Sequence, residues 1–390
     1  MNRKQVAILL ALVAVLGGIA LFLQKTKRGG WTTAAGPGAQ KVLDFPINDV
    51  ARVVIHSPTS QVQLAKKSDV WTVEDRRDYP ANFDQVSALI LRLWELRAVQ
   101  EAKVGPSQFS RLELVEPGRG DNPGTLVELK DKDDKNLVRI IAGKSSVRKM
   151  DGLPGGPRNV PAGRYVLALP SEKVSLVAES LTEISPRPES WLKRDFIKID
   201  DPATISLTGQ VAPRNWTLTH TKGSTDWKLA DAKPNEQIDQ QKVSTLPSLI
   251  SNLNFTDVLP PDSNPQESGL DKPEILTVQT FDRFTYALRI GKPSGENYPV
   301  AISVNADLVR ERTPSQEEKP EDKTKLDQEF QAHLKGLEQK VTAEKEYEKR
   351  IYLISKSSLD PFLKDRAALL AEKKPKPAPS PSPRGKRSGR

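Results

Sequence analysis

The chain contains no cysteine, and only three of its 390 residues are histidine. Without cysteine it can have no disulfide bond, thiolate metal ligand, cysteine nucleophile or lipidated cysteine. The histidines, His56, His220 and His333, are far apart in the sequence, and none has a second ligand at metal-binding spacing. We therefore expect no metal and no cofactor, and we assign no residue to either role.

The short motifs of common catalytic sites are missing as well. The chain has no Gly-x-Ser-x-Gly turn and no glycine-rich phosphate loop between a strand and a helix. Residues 152–157, GLPGGP, are interrupted by proline and lead into no helix, which is typical of a flexible loop. Carboxylates are numerous, but sequence spacing alone pairs none of them on a β-rich chain. We therefore predict a protein that is not an enzyme, and we assign no catalytic residue.

The net charge of +9 comes from the two ends of the chain. Residues 1–30 hold five basic residues and residues 373–390 hold seven, and neither range holds an acid. Removing these twelve charges leaves −3 for residues 31–372. Because nucleic-acid-binding domains carry their basic excess on the folded surface, we expect no nucleic-acid partner.

One long apolar run, VAILLALVAVLGGIALFL, begins at Val6 and ends at Leu23. As a helix it would be about 27 Å long, enough to cross the hydrocarbon core of a bilayer. A cleaved signal peptide is the alternative, but its apolar region is usually shorter and a cleavage site follows closely. Basic residues flank the run on both sides, so charge bias does not fix its orientation. The large domain that follows favours a single-pass protein of the bacterial inner membrane with an extracytoplasmic body.

Two similar phrases, SDVWTV around Trp71 and STDWKL around Trp227, suggest an internal repeat. Around each tryptophan, short strands with alternating apolar residues precede a helix that has one apolar stripe. Asn82 or Asp84 can cap the first helix, and Pro247 should kink or shorten the second. Both tryptophans are predicted to be buried core residues.

The repeat continues beyond the helices. The phrases ELVEPG and GLDKPE are each followed by a pair of strands, and these strands are predicted to end at Gly143 and Gly291. Each copy is then predicted to finish with a strand and a short helix, over residues 164–177 and 350–363. The sequence thus predicts an α+β fold: two tandem copies of a mainly antiparallel sheet-plus-helix unit behind an N-terminal transmembrane helix. The expected segments are the membrane anchor at 1–30, a linker at 31–43, repeat domains at 44–199 and 200–370, an insert at 306–349, and a basic tail at 371–390.

The second copy contains the long charged insert at residues 306–349, where the first copy is expected to have only a glycine- and proline-rich bridge at 145–163. The insert begins with a segment typical of disorder and continues as a helix. The helix has one apolar stripe, formed by Leu326, Phe330, Leu334, Leu337 and Val341. This stripe either packs on its own domain or docks on a partner helix. We expect deletion of residues 310–348 to leave the body folded and to weaken partner binding.

The C-terminal residues 373–390, KKPKPAPSPSPRGKRSGR, lack core-forming side chains. One interpretation is a solvated, disordered terminus. The other is electrostatic binding to an anionic surface, such as lipid head groups or cell-wall polymer.

Taken together, these features resemble a bacterial family known as domain of unknown function 4340. The resemblance covers residues 41–370; GLDKPE fits it well, ELVEPG fits loosely, and the long insert departs from it. It implies a single-span envelope protein that accompanies ABC-type permeases and ATPases of the gliding-motility kind, and it implies no catalytic residue.

The sequence therefore favours a non-enzymatic, membrane-anchored accessory or scaffold protein, with an ABC permease or another envelope protein as its partner. The alternative is an envelope binding module for cell-wall polymer or a small ligand, with its site between the two copies. An envelope hydrolase is the least favoured interpretation.

Overall fold

The computed structural model describes residues 40–150, 158–210, 214–234, 236–259, 263–314 and 318–371. The predicted membrane anchor, most of the linker, the loop at 152–157 and the basic tail lie outside these residues. Within the described ranges, no helix has both the length and the apolar character that a membrane crossing requires.

The chain divides into two compact units; unit 1 ends at Lys193 and unit 2 begins at Arg194. Each unit is built on one mainly antiparallel sheet with few helices. The predicted α+β class is therefore confirmed.

Unit 1 has a nine-stranded sheet and the helix α1 (Phe83–Trp94). Its strands are β1 (Arg52–His56), β2 (Gln61–Lys67), β3 (Val70–Val73), β4 (Tyr79–Pro80), β5 (Ala98–Glu101), β6 (Thr125–Lys130), β7 (Asn136–Met150), β8 (Arg158–Leu169) and β9 (Lys173–Val177). They lie in the order β4-β3-β2-β1-β6-β7-β8-β9-β5. The sequence of β1 explains its central place: Val53 and Ile55 alternate with more exposed residues and are fully buried.

Unit 2 has an eight-stranded sheet and five α-helices among its described residues. Its strands are β10 (Pro202–Thr208), β11 (Trp216–Thr219), β12 (Lys228–Leu229), β13 (Asp257–Leu259), β14 (Glu274–Thr280), β15 (Phe284–Ile290), β16 (Asn297–Ala306) and β17 (Ile351–Ser355). Its helices are α2 (Gln240–Val243), α3 (Leu246–Ser251), α4 (Pro265–Ser268), α5 (Lys323–Glu344) and α6 (Lys356–Leu359). The strand order is β12-β11-β10-β14-β15-β16-β17-β13.

The two sheets share one topology. If β4 is left out and the strands are numbered within each unit, both sheets have the order 3-2-1-5-6-7-8-4. In both units the strand that follows the helical segment lies at an edge of the sheet, where it pairs with the strand that comes last in the chain: β5 pairs with β9, and β13 pairs with β17.

The long helix predicted in each unit is present. Four of the five predicted stripe residues of α1 are buried, Val86, Leu89, Ile90 and Leu93, whereas the fifth, Trp94, is 37% exposed, so its predicted place in the stripe was wrong. The side chain of Asn82 caps the helix by accepting a hydrogen bond from the Gln85 backbone N–H at 3.2 Å. In unit 2, the corresponding helical segment is broken into α2 and α3, and Pro247 lies in the first turn of α3. Proline is tolerated there because the first backbone N–H groups of a helix have no partner within it.

The two tryptophans that suggested the repeat are core residues, as predicted. Trp71 lies in β3 and is 5% exposed, and Trp227 lies immediately before β12 and is 4% exposed. Both therefore pack at the third strand of their own sheet.

Two predictions for unit 1 were wrong. The strand containing Gly143 does not end there but continues to Met150, since a register shift between Ala142 and Ser145 lets β7 keep pairing with β8. The expected bridge at 145–163 is thus largely strand. The second error concerns Lys173–Val177, which was predicted as a short helix and is the strand β9. Its β-branched side chains, and its pairing with both β8 and β5, outweigh helix propensity.

These corrections also relocate the counterpart of the insert. The insert joins β16 to β17, and the matching connection in unit 1 joins β8 to β9 through residues 170–172 alone. The chain of unit 2 thus has a long helical segment where unit 1 has a tight turn.

Candidate functional site

An exposed apolar face on α1 is the first candidate binding surface. Phe83, Leu91 and Trp94 are 63%, 46% and 37% exposed; by helical position Phe83 and Trp94 flank the buried stripe of α1, and Leu91 lies farther round the helix from it. Exposed side chains of this size on one helix face are typical of a surface that binds a partner. The carboxylates of Asp84 and Glu95 are also exposed, seven residues before and four residues after Leu91.

The described chain begins beside this face. The backbone of Ala98 donates a hydrogen bond to the carbonyl of Gln40 at 2.9 Å, and the backbone of Val42 donates to Leu96 at 2.9 Å. The ammonium of Lys41 lies 4.3 Å from the centre of the Trp94 ring, a cation–π contact. The N-terminal linker therefore enters unit 1 at the Trp94 end of α1.

The insert helix α5 is bound to the body of unit 2 through a buried glutamate. Glu344 is 5% exposed, and it accepts hydrogen bonds from the Tyr286 hydroxyl at 2.6 Å and from the Lys198 backbone N–H at 3.0 Å. Burial, and then the hydrogen bond to Glu344, raise the pKa of Tyr286 well above its usual range. On the preceding turn, the Lys340 ammonium donates to the Lys198 carbonyl at 2.6 Å.

The residues after α5 also belong to unit 2. The Glu348 carboxylate accepts a hydrogen bond from the backbone N–H of Val304 in β16 at 2.7 Å. The ring of Tyr347 packs edge-on against Phe196 and Tyr352, with ring centres 5.6 and 6.1 Å apart. A deletion of 310–348 would remove these contacts, so our expectation that it leaves the body intact is revised.

The apolar stripe of α5 is half-buried at all five positions. Because Lys340 and Glu344 bind the stripe side of the helix to β15 and to the chain before β10, the stripe packs on its own unit. Of the two alternatives for the insert, the structure favours packing on its own domain.

A groove of about 500 Å³ in unit 2 is the second candidate surface. It is lined by Gln210, Arg214, Lys272, Glu274, Ile290, Gly291, Lys292, Pro293, Tyr298, Asp360 and Leu363. Its walls thus combine cationic, acidic, aromatic and aliphatic side chains.

Only one of the two carboxylate oxygens of Glu274, which lines this groove, has a hydrogen-bond partner in the described part of the chain. Arg214 forms an ion pair and hydrogen bond with its Oε1, while Oε2 is buried and has no hydrogen-bond partner among the described residues. Two strands away, on β16, the Tyr298 hydroxyl donates to the Asp360 carboxylate at 2.8 Å. Burial and this hydrogen bond raise the pKa of Tyr298 to about 12, so the phenol is neutral at physiological pH.

Unit 1 has an arginine at the register position of Tyr298. Val166 of β8 and Val300 of β16 are matching positions, since they pair with Ala142 and Ile290, the residues just before Gly143 and Gly291. Arg164 and Tyr298 each lie two residues before these positions. The Arg164 guanidinium donates to the carbonyls of Gly143 at 2.7 Å and Ser180 at 3.3 Å. Burial lowers the pKa of this arginine. In unit 1 the Arg164 side chain therefore bonds to backbone carbonyls, whereas Tyr298 at the matching position of unit 2 lines the groove.

The three histidines are not brought together. His56 ends β1, the ring of His220 packs 4.5 Å from that of Trp227, and His333 Nε2 on α5 lies 3.7 Å from Asp282. In the described part of the chain, no three His, Asp or Glu side chains are grouped as a metal ion would require.

The groove was not predicted from the sequence. Its signal was present in the two repeat landmarks GLDKPE and Gly291-Lys292, which were interpreted only as structural features. Both contribute lining residues. Sequence position could not show that the two phrases meet, because strands β14 and β15 and their turns bring them together.

Comparison with protein-family models gives a match over residues 71–273 to a family described as Domain of unknown function (DUF4340). The match begins at Trp71 and crosses the boundary between the two units, so it does not separate one unit from the other. Neither curated proteins nor solved structures give a match.

Proposed function

The chain belongs to the DUF4340 family, and on that premise we propose that it is a non-enzymatic accessory or scaffold protein of the bacterial envelope, associated with an ABC-type transport system. In this proposal residues 6–23 form a single span of the inner membrane, and the two units lie on the extracytoplasmic side. The basic residues 373–390 are available to bind an anionic surface of the envelope.

The observation that carries this proposal is the exposed apolar face of α1 at the entry point of the chain. Residues 24–39 separate the proposed span from Gln40, and 16 residues reach about 55 Å at most when fully extended. In this proposal Gln40, which lies beside the Trp94 end of α1, is therefore within that distance of the membrane surface.

We assign this face to an integral membrane partner, the extracytoplasmic surface of an ABC permease. The exposed carboxylates of Asp84 and Glu95 favour a protein over the bilayer, because the anionic head groups of bacterial lipids would repel them. A partner with apolar and cationic side chains would complement both Leu91 and these acids.

The proposal includes the duplication of one α+β unit. It is supported by the common strand order of the two sheets and by the burial of Trp71 and Trp227 at the third strand of each. In a duplicated scaffold, features of one copy alone are the better candidates for recognition. The exposed face of α1 is one, because the corresponding helices of unit 2, Gln240–Val243 and Leu246–Ser251, carry no exposed large apolar side chain.

A second candidate function, an envelope binding module for a wall polymer or small ligand, is favoured by the groove in unit 2 with its unpartnered Glu274 oxygen.

The proposed function can be tested by purification from native membranes. The full-length protein should stay in the membrane pellet after carbonate extraction, and a permease of an ABC system should co-purify with it from mild detergent. Leu91→Asp should reduce the recovered permease at least tenfold, whereas Gln328→Asp on the exposed side of α5 should not change it. Extraction of the protein by carbonate, or equal permease recovery from both variants, would contradict the proposal.

A further inference from the structure

The groove in unit 2, on which the second candidate function rests, has features of a ligand site that the proposed accessory function does not use. The buried Oε2 of Glu274 is an acceptor without a donor, and a buried carboxylate oxygen in that state costs free energy. Its other oxygen is already bound to Arg214. A ligand that offers an O–H or N–H at this point would satisfy Oε2.

Two lysines stand at the rim of the same groove. Lys272 and Lys292 are both exposed, and in the described residues no carboxylate lies within salt-bridge distance of either ammonium. They therefore leave two positive charges at the rim of the groove.

The backbone around Lys292 is fixed by close packing. Its N–H donates to the Ser268 carbonyl at 2.9 Å, and a side chain on Gly291 would meet that carbonyl at 2.1 Å. Gly269, with φ of 74°, approaches Lys292 so closely that a Cβ there would lie 2.5 Å from its backbone nitrogen. The position of Lys292 at the rim is thus built into the fold rather than left to a loose loop.

The remaining walls suit a sugar ring. The half-buried Leu363 supplies an aliphatic surface, and Tyr298 supplies a neutral aromatic side chain. The acids Glu274 and Asp360 disfavour a ligand of high negative charge, such as a nucleotide, and favour one with several hydroxyl donors and a single carboxylate.

We propose that this groove binds an acidic sugar, with its carboxylate between Lys272 and Lys292 and a hydroxyl or amide N–H donating to Oε2 of Glu274. This site goes beyond the proposed accessory function and does not depend on it, since it lies within unit 2 and shares no residue with α1.

The test uses the full-length protein in detergent and titrates it with N-acetylmuramic acid, which carries one carboxylate, and with neutral N-acetylglucosamine. Saturation-transfer NMR should show saturable binding of the acidic sugar and at least tenfold weaker binding of the neutral one. Glu274→Gln and Lys292→Met should each weaken binding of the acidic sugar at least tenfold. Lys144→Met, at the position after Gly143 in unit 1, is the matched control and should leave binding unchanged.

Thermal unfolding of each variant identifies loss of the fold, and Lys292→Met keeps the proposal testable if Glu274→Gln unfolds unit 2. The proposal is overturned if the acidic sugar gives no saturable signal, if both sugars bind equally, or if Lys144→Met weakens binding as much as Lys292→Met. Preferential binding of a short peptide with a free C-terminal carboxylate, used as a third probe, would overturn the assignment to sugars. None of these outcomes changes the co-purification result that tests the accessory function.

Discussion

The ammonium of Lys41 lies 4.3 Å from the centre of the Trp94 ring, so the linker meets the folded chain at the exposed side of α1. A cation–π contact at a half-exposed site contributes about 0.5–1 kcal/mol, which is small beside the backbone pairing of Gln40 and Val42 with the chain after α1. The importance of the contact is positional. It places an apolar helix face next to the segment that leads to the proposed membrane anchor.

The hydrogen bonds of Glu344 should make it the main attachment of α5. Glu344→Ala leaves the Tyr286 hydroxyl and the Lys198 N–H without this acceptor in a buried place, and we expect it to lower the free energy of unfolding by about 2–4 kcal/mol. Gln339→Ala, on the exposed side of the same helix, should change it by no more than about 0.5 kcal/mol. Urea unfolding of both variants measures the difference, and equal costs would show that α5 is not held through Glu344.

Only the first part of the insert should be removable without unfolding unit 2. The Arg310 guanidinium and the Glu338 carboxylate lie 4.0 Å apart, so the two chain positions are separated by no more than the reach of these side chains. Removal of residues 311–337 and closure with a flexible Gly-Ser linker should therefore keep unit 2 folded. The longer deletion of 310–348 removes the contacts of Tyr347 and Glu348 and should lower the melting temperature clearly further. Thermal unfolding of the two deletions compares them, and identical melting temperatures would contradict the assignment of residues 338–348 to the body.

The tryptophans should differ sharply in their contribution to stability. Trp71→Ala and Trp227→Ala each open a cavity in a core and should cost about 3–5 kcal/mol. Trp94→Ala, at an exposed position, should cost about 1 kcal/mol or less, mainly the contact with Lys41. Similar costs for all three, in chemical unfolding, would refute the core role of the first two.

The raised pKa of Tyr298 predicts a loss of stability at high pH. The folded state binds the phenol proton up to about pH 12, whereas the unfolded chain releases it near 10.0. The stabilisation is therefore complete below pH 10 and is lost as the pH rises from 10 towards 12. Unfolding measured across this range should show a steeper decline for the wild-type protein than for Tyr298→Phe, and parallel declines would contradict the environment assigned to Tyr298.

Local patterns were enough to predict much of the core. The stripe of α1, its cap at Asn82, the break at Pro247 and the burial of both tryptophans depend on residues that are near each other in the sequence. Such features follow from helix periodicity and local hydrogen bonding, so they can be predicted from the sequence before the fold is known.

The errors involve pairing between distant strands. Lys173–Val177 has a composition compatible with a short helix, and its role as β9 is set by neighbours on both sides. The groove was missed for the same reason, because Lys272, Lys292 and Tyr298 meet only after β14, β15 and β16 have paired. Trp94 was predicted to belong to the apolar stripe of α1 and is exposed, and Phe83 and Leu91 were not singled out, since the sequence does not show which apolar side chains lack a covering element.

The central claim, that the exposed face of α1 binds an integral membrane partner, is tested most directly by site-specific crosslinking. Because the chain has no cysteine, Leu91→Cys and the control Gln328→Cys each provide a unique thiol for a photoactivatable label. Illumination of native membranes should join the label at position 91 to the permease of an ABC transport system, identified by mass spectrometry, and should give no such adduct from position 328. Equal adducts from both positions, or a label at 91 that reacts with lipid alone, would contradict the account.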